Sequence, residues 1–199
     1  MPILRPLAFA LLVTPLFAAC ATTGVTTPAT SGAEAVLKDA SGATVGHATA
    51  RQQGGDLLVT VTASNQTPGA HGAHIHMTGD CTPPGFTTAG GHWNPTGTHH
   101  GLSNPQGPHK GDLPNLDVGS DGQGTLSFSV PGASIEGGAN ALLDADGAAF
   151  VIHGGPDDMM SDPAGNSGPR VACGVFVKNS PDARWRLHRV EVASVSGFA

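Results

Sequence analysis

Apolar and β-branched residues concentrate in four short stretches of the chain, each bounded by turn-forming residues. The stretches are DLLVTVTAS (56–64), GTLSFSV (124–130), AAFVIH (148–153) and VACGVFV (171–177). Turn sequences such as QQGGD, SDGQG and DADG lie between them, and the chain has no long helical pattern. Short strands at this spacing predict an all-β domain, an antiparallel sandwich or barrel.

Two long segments, roughly residues 78–118 and 154–169, interrupt the predicted strands and carry little apolar content. Long irregular loops within a compact domain are usually functional, so we expect the site there. The 199 residues suffice for one domain with its own core. A net charge of −6 argues against a general nucleic-acid-binding role.

The N-terminus has the pattern of a targeting segment. Arg5 precedes a short apolar run at residues 7–17 (LAFALLVTPLF), and the sequence LFAAC ends at Cys20. This pattern predicts a lipoprotein-type signal peptide over residues 1–19, cleaved before a lipidated Cys20, and a flexible tether over residues 20–33. An ordinary secretory signal cleaved nearby is the alternative. Both alternatives predict an exported protein.

The chain has three cysteines, and an odd number needs an explanation in an exported protein. If Cys20 carries lipid, Cys81 and Cys173 can pair in an oxidising compartment. Two free buried thiols are the alternative. We predict a domain over residues 34–177 and a C-terminal extension over residues 178–199, which is an edge strand, a solvated tail or a contact with a membrane or partner.

Ten histidines in one chain are many, and most of them cluster. His74 and His76 are two residues apart in a strand-like segment, so both side chains face the same side and can reach one metal ion. Imidazole suits zinc and copper, and a carboxylate beside three imidazoles suits zinc. A histidine-rich loop that is only solvated or hydrogen-bonded is the alternative. The other members of the set are His92, His100, His109, Asp112 and His153.

The order and spacing of these residues resemble the copper–zinc superoxide dismutases in their bacterial periplasmic form, over residues 34–177. The resemblance implies an eight-stranded Greek-key β-sandwich or flattened barrel, similar to an immunoglobulin fold, with long metal-binding and active-site loops. It is carried by HGAHIHMTGDC (71–81), AGGHWNP (89–95), HG at His100, HKGDLPNL (109–116), FVIHGGPDD (150–158) and SDPAGNSGPRVACGV (161–175).

The resemblance implies one copper ion and one zinc ion per subunit, bridged by the two ring nitrogens of His92. It implies a bond between Cys81 and Cys173, and it makes Asp157 a hydrogen-bond acceptor for His74 and His100. Of the adjacent pair, it assigns His100 to zinc and leaves His99 pointing away. The implied copper ligands are His74, His76, His92 and His153, and the implied zinc ligands are His92, His100, His109 and Asp112.

The resemblance also implies dismutation of superoxide to dioxygen and hydrogen peroxide by Cu(II)/Cu(I) cycling. The bridging His92 would accept and return a proton, and Arg170 would attract the anion beside the copper. Because the chain is acidic, positive potential must be local, and Lys110 is a further candidate unless it is merely solvated. A copper or zinc store on the same fold and a zinc-only structural sandwich are the competing hypotheses.

The remaining expectations concern surroundings and partners. We expect a structural hydrogen bond for His71 and exposed positions for His47 and His188. The expected location is the bacterial periplasm, with a membrane anchor through Cys20. The expected partner is superoxide and no nucleic acid, and the sequence leaves a homodimer open.

Overall fold

The fold is all-β in the computed structural model, which describes residues 31–179. Besides the strands it contains one short 3-10 helix, Thr87–Ala89. Within residues 31–179, no helix is long and apolar enough to cross a membrane. The strands are β1 Gly32–Asp39, β2 Thr44–Gln53, β3 Asp56–Ala63, β4 Gly69–His71, β5 Ala73–His76, β6 Leu116–Val118, β7 Gly124–Val130, β8 Ala149–His153, β9 Arg170–Val175 and β10 Val177–Lys178.

The strands form one antiparallel sheet that closes on itself. Its order is β4-β6-β7-β3-β2-β1-β9-β8-β5, and β10 also pairs with β1. The two ends of this order, β4 and β5, are separated in the chain by Gly72 alone. The connection from β3 to β4 passes over β7 and β6, which is a Greek-key crossover. If β4 with β5 and β9 with β10 are each counted as one continuous strand, the predicted number of eight is confirmed.

The barrel interior holds the main core. Buried side chains of all the long strands meet there, among them Leu37, Val59 and Ile75. A second, smaller cluster lies on the outer face of β8 and β9, where Phe86 and Ala89 cover Val151. The segment between β5 and β6 is therefore packed against the barrel by apolar contacts.

A disulfide between Cys81 and Cys173 joins that segment to β9. The bond spans 92 residues, and closing such a loop in the unfolded chain is worth about 4–5 kcal/mol in the entropy model. The pairing predicted from the sequence is present. Together, the bond and the apolar cluster fix the beginning of the long segment on the outer face of β8 and β9.

The predicted strands agree with the structure to within two residues, but the predicted loop over residues 78–118 is too long. Its last three residues form β6, which pairs with β4 and β7. Leu116 and Val118 are buried there, and three residues are too few to be recognised by a pattern. The signal peptide, Cys20, most of the tether, His188 and nearly all of the C-terminal extension lie outside the described residues.

Candidate metal centre

The outer face of β5 carries the first two histidines. Ala73 and Ile75 belong to the interior core, so alternation along the strand turns His74 and His76 outward. Loop segments run along β5 and cover them, with bridges between His74 and Asp112 and between His76 and His92. Backbone hydrogen bonds from Ile75 N to Gly111 O (2.9 Å) and from Trp93 N to Ile75 O (2.8 Å) hold these segments in place. The loop thus delivers its ligands to the strand.

Four buried imidazoles, here called the four-histidine cluster, offer ligand atoms that lie within 4.8 Å of one another. The atoms His74 Nδ1, His76 Nε2, His92 Nε2 and His153 Nε2 are all buried and have no hydrogen-bond partner. Buried polar atoms are normally paired, so four unpaired nitrogens facing one point call for a shared ligand.

The second ring nitrogen of each of these histidines is held by a fixed acceptor. His76 Nδ1 donates to Gly90 O at 2.9 Å, and His153 Nδ1 donates to Gly168 O at 3.1 Å. His74 Nε2 donates to Asp157 Oδ2 at 2.7 Å. A donated proton on one nitrogen leaves the other with its lone pair free. The set therefore fits a metal ion that takes imidazole ligands, such as copper.

His92 also belongs to a second group, here called the carboxylate cluster, which consists of His92, His100, His109 and Asp112. The Nδ1 atoms of the three histidines lie 2.8, 3.0 and 3.2 Å from the same oxygen, Asp112 Oδ1. Ligands of a tetrahedral zinc at 2.0–2.1 Å would be roughly 3.3 Å apart. Asp112 Oδ2 accepts the backbone N–H groups of Gly101 and His109, which fixes the carboxylate. The spacing and the donor types fit zinc.

Asp157 links the two clusters. Its Oδ2 accepts from His74 of one cluster, and its Oδ1 accepts from His100 Nε2 of the other at 3.0 Å. The backbone of Asp157 is held on both sides by the amide of Asn115. Gly165, at φ 61°, lies in the loop between β8 and β9 and lets that loop pass close to the side chain of Asp157. A Cβ at this position would lie 1.7 Å from Asp157 Oδ1.

The two clusters differ in their affinity for protons. Burial lowers the pKa of His74 to about 3, of His76 to about 2 and of His153 to about 4, with neighbouring imidazoles adding to the effect. Burial would also lower the pKa of His100, but its hydrogen bonds to Asp112 and Asp157 outweigh burial and raise the pKa to about 9. Burial opposes ionisation of Asp112, yet its three histidine partners hold the pKa of that carboxyl well below its usual range.

A pocket opens above the four-histidine cluster, and the side chain of Arg170 lines it together with His76, His92 and His153. Arg170 donates from Nη1 to Phe86 O and from Nη2 to Gly90 O, both at 2.6 Å. These contacts use two of the five guanidinium N–H groups. Burial lowers the pKa of Arg170, but an arginine stays charged. A small anion in the pocket would meet this charge.

The structure brings together all the predicted ligands, and it places His100 inside the carboxylate cluster and His99 outside it. The side chain of His100 is 0% exposed, whereas that of His99 is 54% exposed and contacts Asp162. His47 is exposed. Buried His71 contacts His153 O and Thr67 O through its two ring nitrogens, both at 2.7 Å. Metal binding by the residues of the two clusters stays a prediction.

The structure does not support a steering role for Lys110, because its ammonium donates to Pro131 O at 2.6 Å and does not line the pocket. Sequence reasoning missed three carboxylates. Asp162 accepts the backbone N–H of His100, and exposed Asp144 and Asp146 lie at the pocket. Asp162 lies in the quoted SDPAGNSGPR stretch, so that motif could have indicated it. No sequence signal links Asp144 and Asp146, in the turn before β8, to the histidines.

Comparison with known proteins agrees with this geometry. The family model of copper/zinc superoxide dismutase matches residues 44–176. The copper–zinc superoxide dismutase 1 of Aquifex aeolicus is 46% identical over 136 residues, covering 67% of this chain and 80% of that protein. The copper–zinc superoxide dismutase of Caulobacter vibrioides is 42% identical over 147 residues, covering 72% and 84%. A crystal structure of a SOD-like protein from Bacillus subtilis superposes with a TM-score of 0.70 at 38% identity, covering 74% of this chain and 99% of that one.

Proposed function

The chain belongs to the copper/zinc superoxide dismutase family, and from this premise we propose that it catalyses the dismutation of superoxide. Two superoxide anions and two protons give one dioxygen and one hydrogen peroxide. The family uses copper and zinc, and the residues present fit both ions. The four-histidine cluster would hold copper, and the carboxylate cluster would hold zinc.

Bound copper would supply one-electron redox chemistry, alternating between Cu(II) and Cu(I), while zinc would supply a fixed charge. The protein supplies orientation. Each histidine of the four-histidine cluster is held through its second nitrogen by a carbonyl or a carboxylate, so little reorganisation is needed on metal binding.

The observation that carries the proposal is the sharing of His92. Its Nδ1 lies 2.8 Å from Asp112 Oδ1, within the carboxylate cluster, and its Nε2 is an unpaired buried atom of the four-histidine cluster. A store for one metal has no need to join two different donor sets through one ring. In a dismutase, Nε2 of His92 is an atom that can hold a proton between the two half-reactions.

Arg170 is proposed to bind the anionic substrate. The carbonyls of Phe86 and Gly90 orient its guanidinium, and its remaining N–H groups are available to an anion in the pocket. Gly90 O also accepts from His76, so the same carbonyl positions the cation and a copper ligand. Substrate and metal would therefore be kept in a fixed relation.

The test combines metal quantification with a superoxide decay assay on one sample. The proposal expects close to one copper and one zinc per chain and rapid decay. Arg170→Ala should keep both metals and lower kcat/KM roughly tenfold or more, because the attracting charge is lost. Arg51→Ala is the control, since Arg51 is exposed on β2, and it should change neither. A metal-loaded protein that does not accelerate decay would favour the rival metal store.

We also propose export to the periplasm with a lipid anchor on Cys20, and a domain that spans residues 34–177 between a tether and a C-terminal extension. The apolar run followed by LFAAC supports the anchor. Cys20→Ala should move the protein from the membrane fraction to the soluble fraction. A mature N-terminus that lies elsewhere than Cys20, seen by mass spectrometry, would support the ordinary secretory signal instead. A homodimer stays open, and the mass in solution would decide it.

A further inference from the structure

Three side chains that line the pocket above the four-histidine cluster have no part in the mechanism above: Met77, Asp144 and Asp146. We propose that Met77, with Asp144 and Asp146 in the lining of the same pocket, receives Cu(I) from solution and passes it to the four-histidine cluster. This inference rests on the copper site of the proposed function. It adds an uptake site whose donor atoms differ from those that hold copper at the end.

Met77 lines the same pocket as three histidines of the four-histidine cluster and is exposed to solvent. β5 ends at His76, and the backbone N–H of Met77 donates to Gly91 O at 3.0 Å. The side chain then lies over two glycines, since a Cβ on Gly90 would be 3.6 Å from Met77 Sδ and one on Gly91 would be 4.0 Å from it. Because neither glycine has a side chain to cover the sulfur, Met77 stays 48% exposed.

The sulfur is a selective donor. A thioether is a soft, neutral ligand that favours Cu(I), whereas Cu(II) and calcium prefer nitrogen or oxygen. Buried unpaired nitrogens lie beyond it in the same pocket, on His76, which adjoins Met77 in the chain, and on His153. Transfer to His74, His76 and His153 would be ligand exchange, in which copper stays Cu(I) and each of these imidazoles binds as a neutral donor. No electron needs to move, and His92 keeps the proton on its Nε2.

The charge at the mouth also suits a cation. Asp144 and Asp146 are exposed and line the pocket. The Asp146 carbonyl accepts the N–H of Gly79 at 2.8 Å, which holds the acidic turn against the segment that follows Met77. Among the residues that line the pocket within the described chain, Arg170 is the only permanent cation, against these two carboxylates. Carboxylates at a mouth raise the local concentration of cations and repel superoxide, so their placement favours metal uptake over substrate capture.

The test measures copper loading rather than dismutation. Zinc-loaded, copper-free protein is mixed anaerobically with Cu(I) in acetonitrile-containing buffer, where the ion is a cation. Excess bicinchoninate added at intervals captures the Cu(I) that is not yet loaded, and its colour gives the loading rate. Met77→Leu should slow loading with Cu(I) several-fold and leave loading with Cu(II) unchanged, since leucine keeps the volume but lacks the sulfur. Met160→Leu is the matched control, because Met160 is also 48% exposed but does not line the pocket.

The double variant Asp144→Asn, Asp146→Asn distinguishes the effect of the carboxylate charges from the effect of the sulfur donor of Met77. It should slow loading with both ions, and the difference from the parent should shrink as salt is added. An unchanged Cu(I) rate for Met77→Leu, or an equal loss in Met160→Leu, would overturn the uptake role while leaving the proposed function intact. If the parent takes up no copper from either source, the proposed function itself fails.

Discussion

The four-histidine cluster and the carboxylate cluster both consist mainly of imidazole side chains and share His92. They differ in that only the second contains a carboxylate, Asp112. In the first, four buried nitrogens face one another without a partner. In the second, Asp112 places a negative oxygen among three nitrogens. The carboxylate compensates positive charge, so the second cluster can hold a proton in place of a metal, whereas the first cannot.

This difference follows from chemistry. A redox ion is suited by nitrogen donors alone, while a structural zinc benefits from a carboxylate ligand. The fold serves both needs with two strands and one loop. β5 and the end of β8 supply three histidines, and the loop between β5 and β6 supplies the carboxylate cluster. Substitutions at the shared His92, at the zinc ligands and beside the linking Asp157 should therefore have different effects on metal binding.

The largest effect is expected at His92, the one residue common to both clusters. His92→Ala should lower the content of copper and zinc together and reduce superoxide decay to the rate without enzyme, since each cluster loses a ligand. Metal analysis and the decay assay on one sample measure this. His47→Ala is the control, because His47 is exposed on β2. A variant that keeps both ions would show that His92 is not shared.

The next effect separates the clusters. His100→Ala should lose zinc and keep most of its copper, because His100 belongs only to the carboxylate cluster and its loss leaves all four atoms of the other cluster in place. His99→Ala, one residue away and exposed, should keep both ions. Equilibrium competition with a zinc chelator gives the affinity. If His99→Ala loses zinc instead, the assignment within the pair is wrong by one residue.

A smaller effect is expected where the clusters are linked. Gly165→Ala would place a Cβ 1.7 Å from Asp157 Oδ1 and 2.7 Å from His100 Nε2, so Asp157 must move and its hydrogen bond to His100 must break. Loss of such an outer partner typically costs about 10–100-fold in metal affinity. We expect that loss for zinc, and a weaker one for copper through His74.

Gly54→Ala controls for backbone strain in that experiment. Gly54 has a φ of 60°, against 61° for Gly165, and a Cβ there meets nothing within 4 Å. It should lose a similar small amount of stability and no metal affinity. Equal zinc affinities in the two variants would mean that the bridge through Asp157 contributes nothing to metal binding.

The sequence predicted which side chains come together in the two clusters better than it predicted their surroundings. His74 and His76 were predictable because strand alternation and motif order both select them. β1 and β2 were not, because their inward side chains are mostly small, such as Ala35 and Ala48, which give a weak apolar signal although they are buried. The pocket mouth was also missed, since Asp146 reaches it only through the path of the barrel.

The last comparison is of stability against pH in protein stripped of metal with a chelator. His74, His76 and His153 have pKa values of about 3, 2 and 4 when folded, against an ordinary value of 6.5. Below pH 6.5 these three histidines bind protons in the unfolded chain but stay neutral in the folded protein. Each then costs about 1.4 kcal/mol of folding stability per pH unit until its folded pKa is reached.

His100 acts in the opposite direction, because its folded pKa is raised to about 9. Its contribution is complete below pH 6.5 and is lost as pH rises through 9. For these four residues the metal-free protein should therefore be most stable near pH 6.5. The loss of folding stability below pH 6.5 comes from the four-histidine cluster, and the loss above pH 6.5 comes from the carboxylate cluster. Urea unfolding of metal-free His100→Ala should show the acid loss without the alkaline one, and His47→Ala should show both. A flat profile between pH 6.5 and 9 in the parent protein would mean that the carboxylate cluster does not hold a proton in place of zinc.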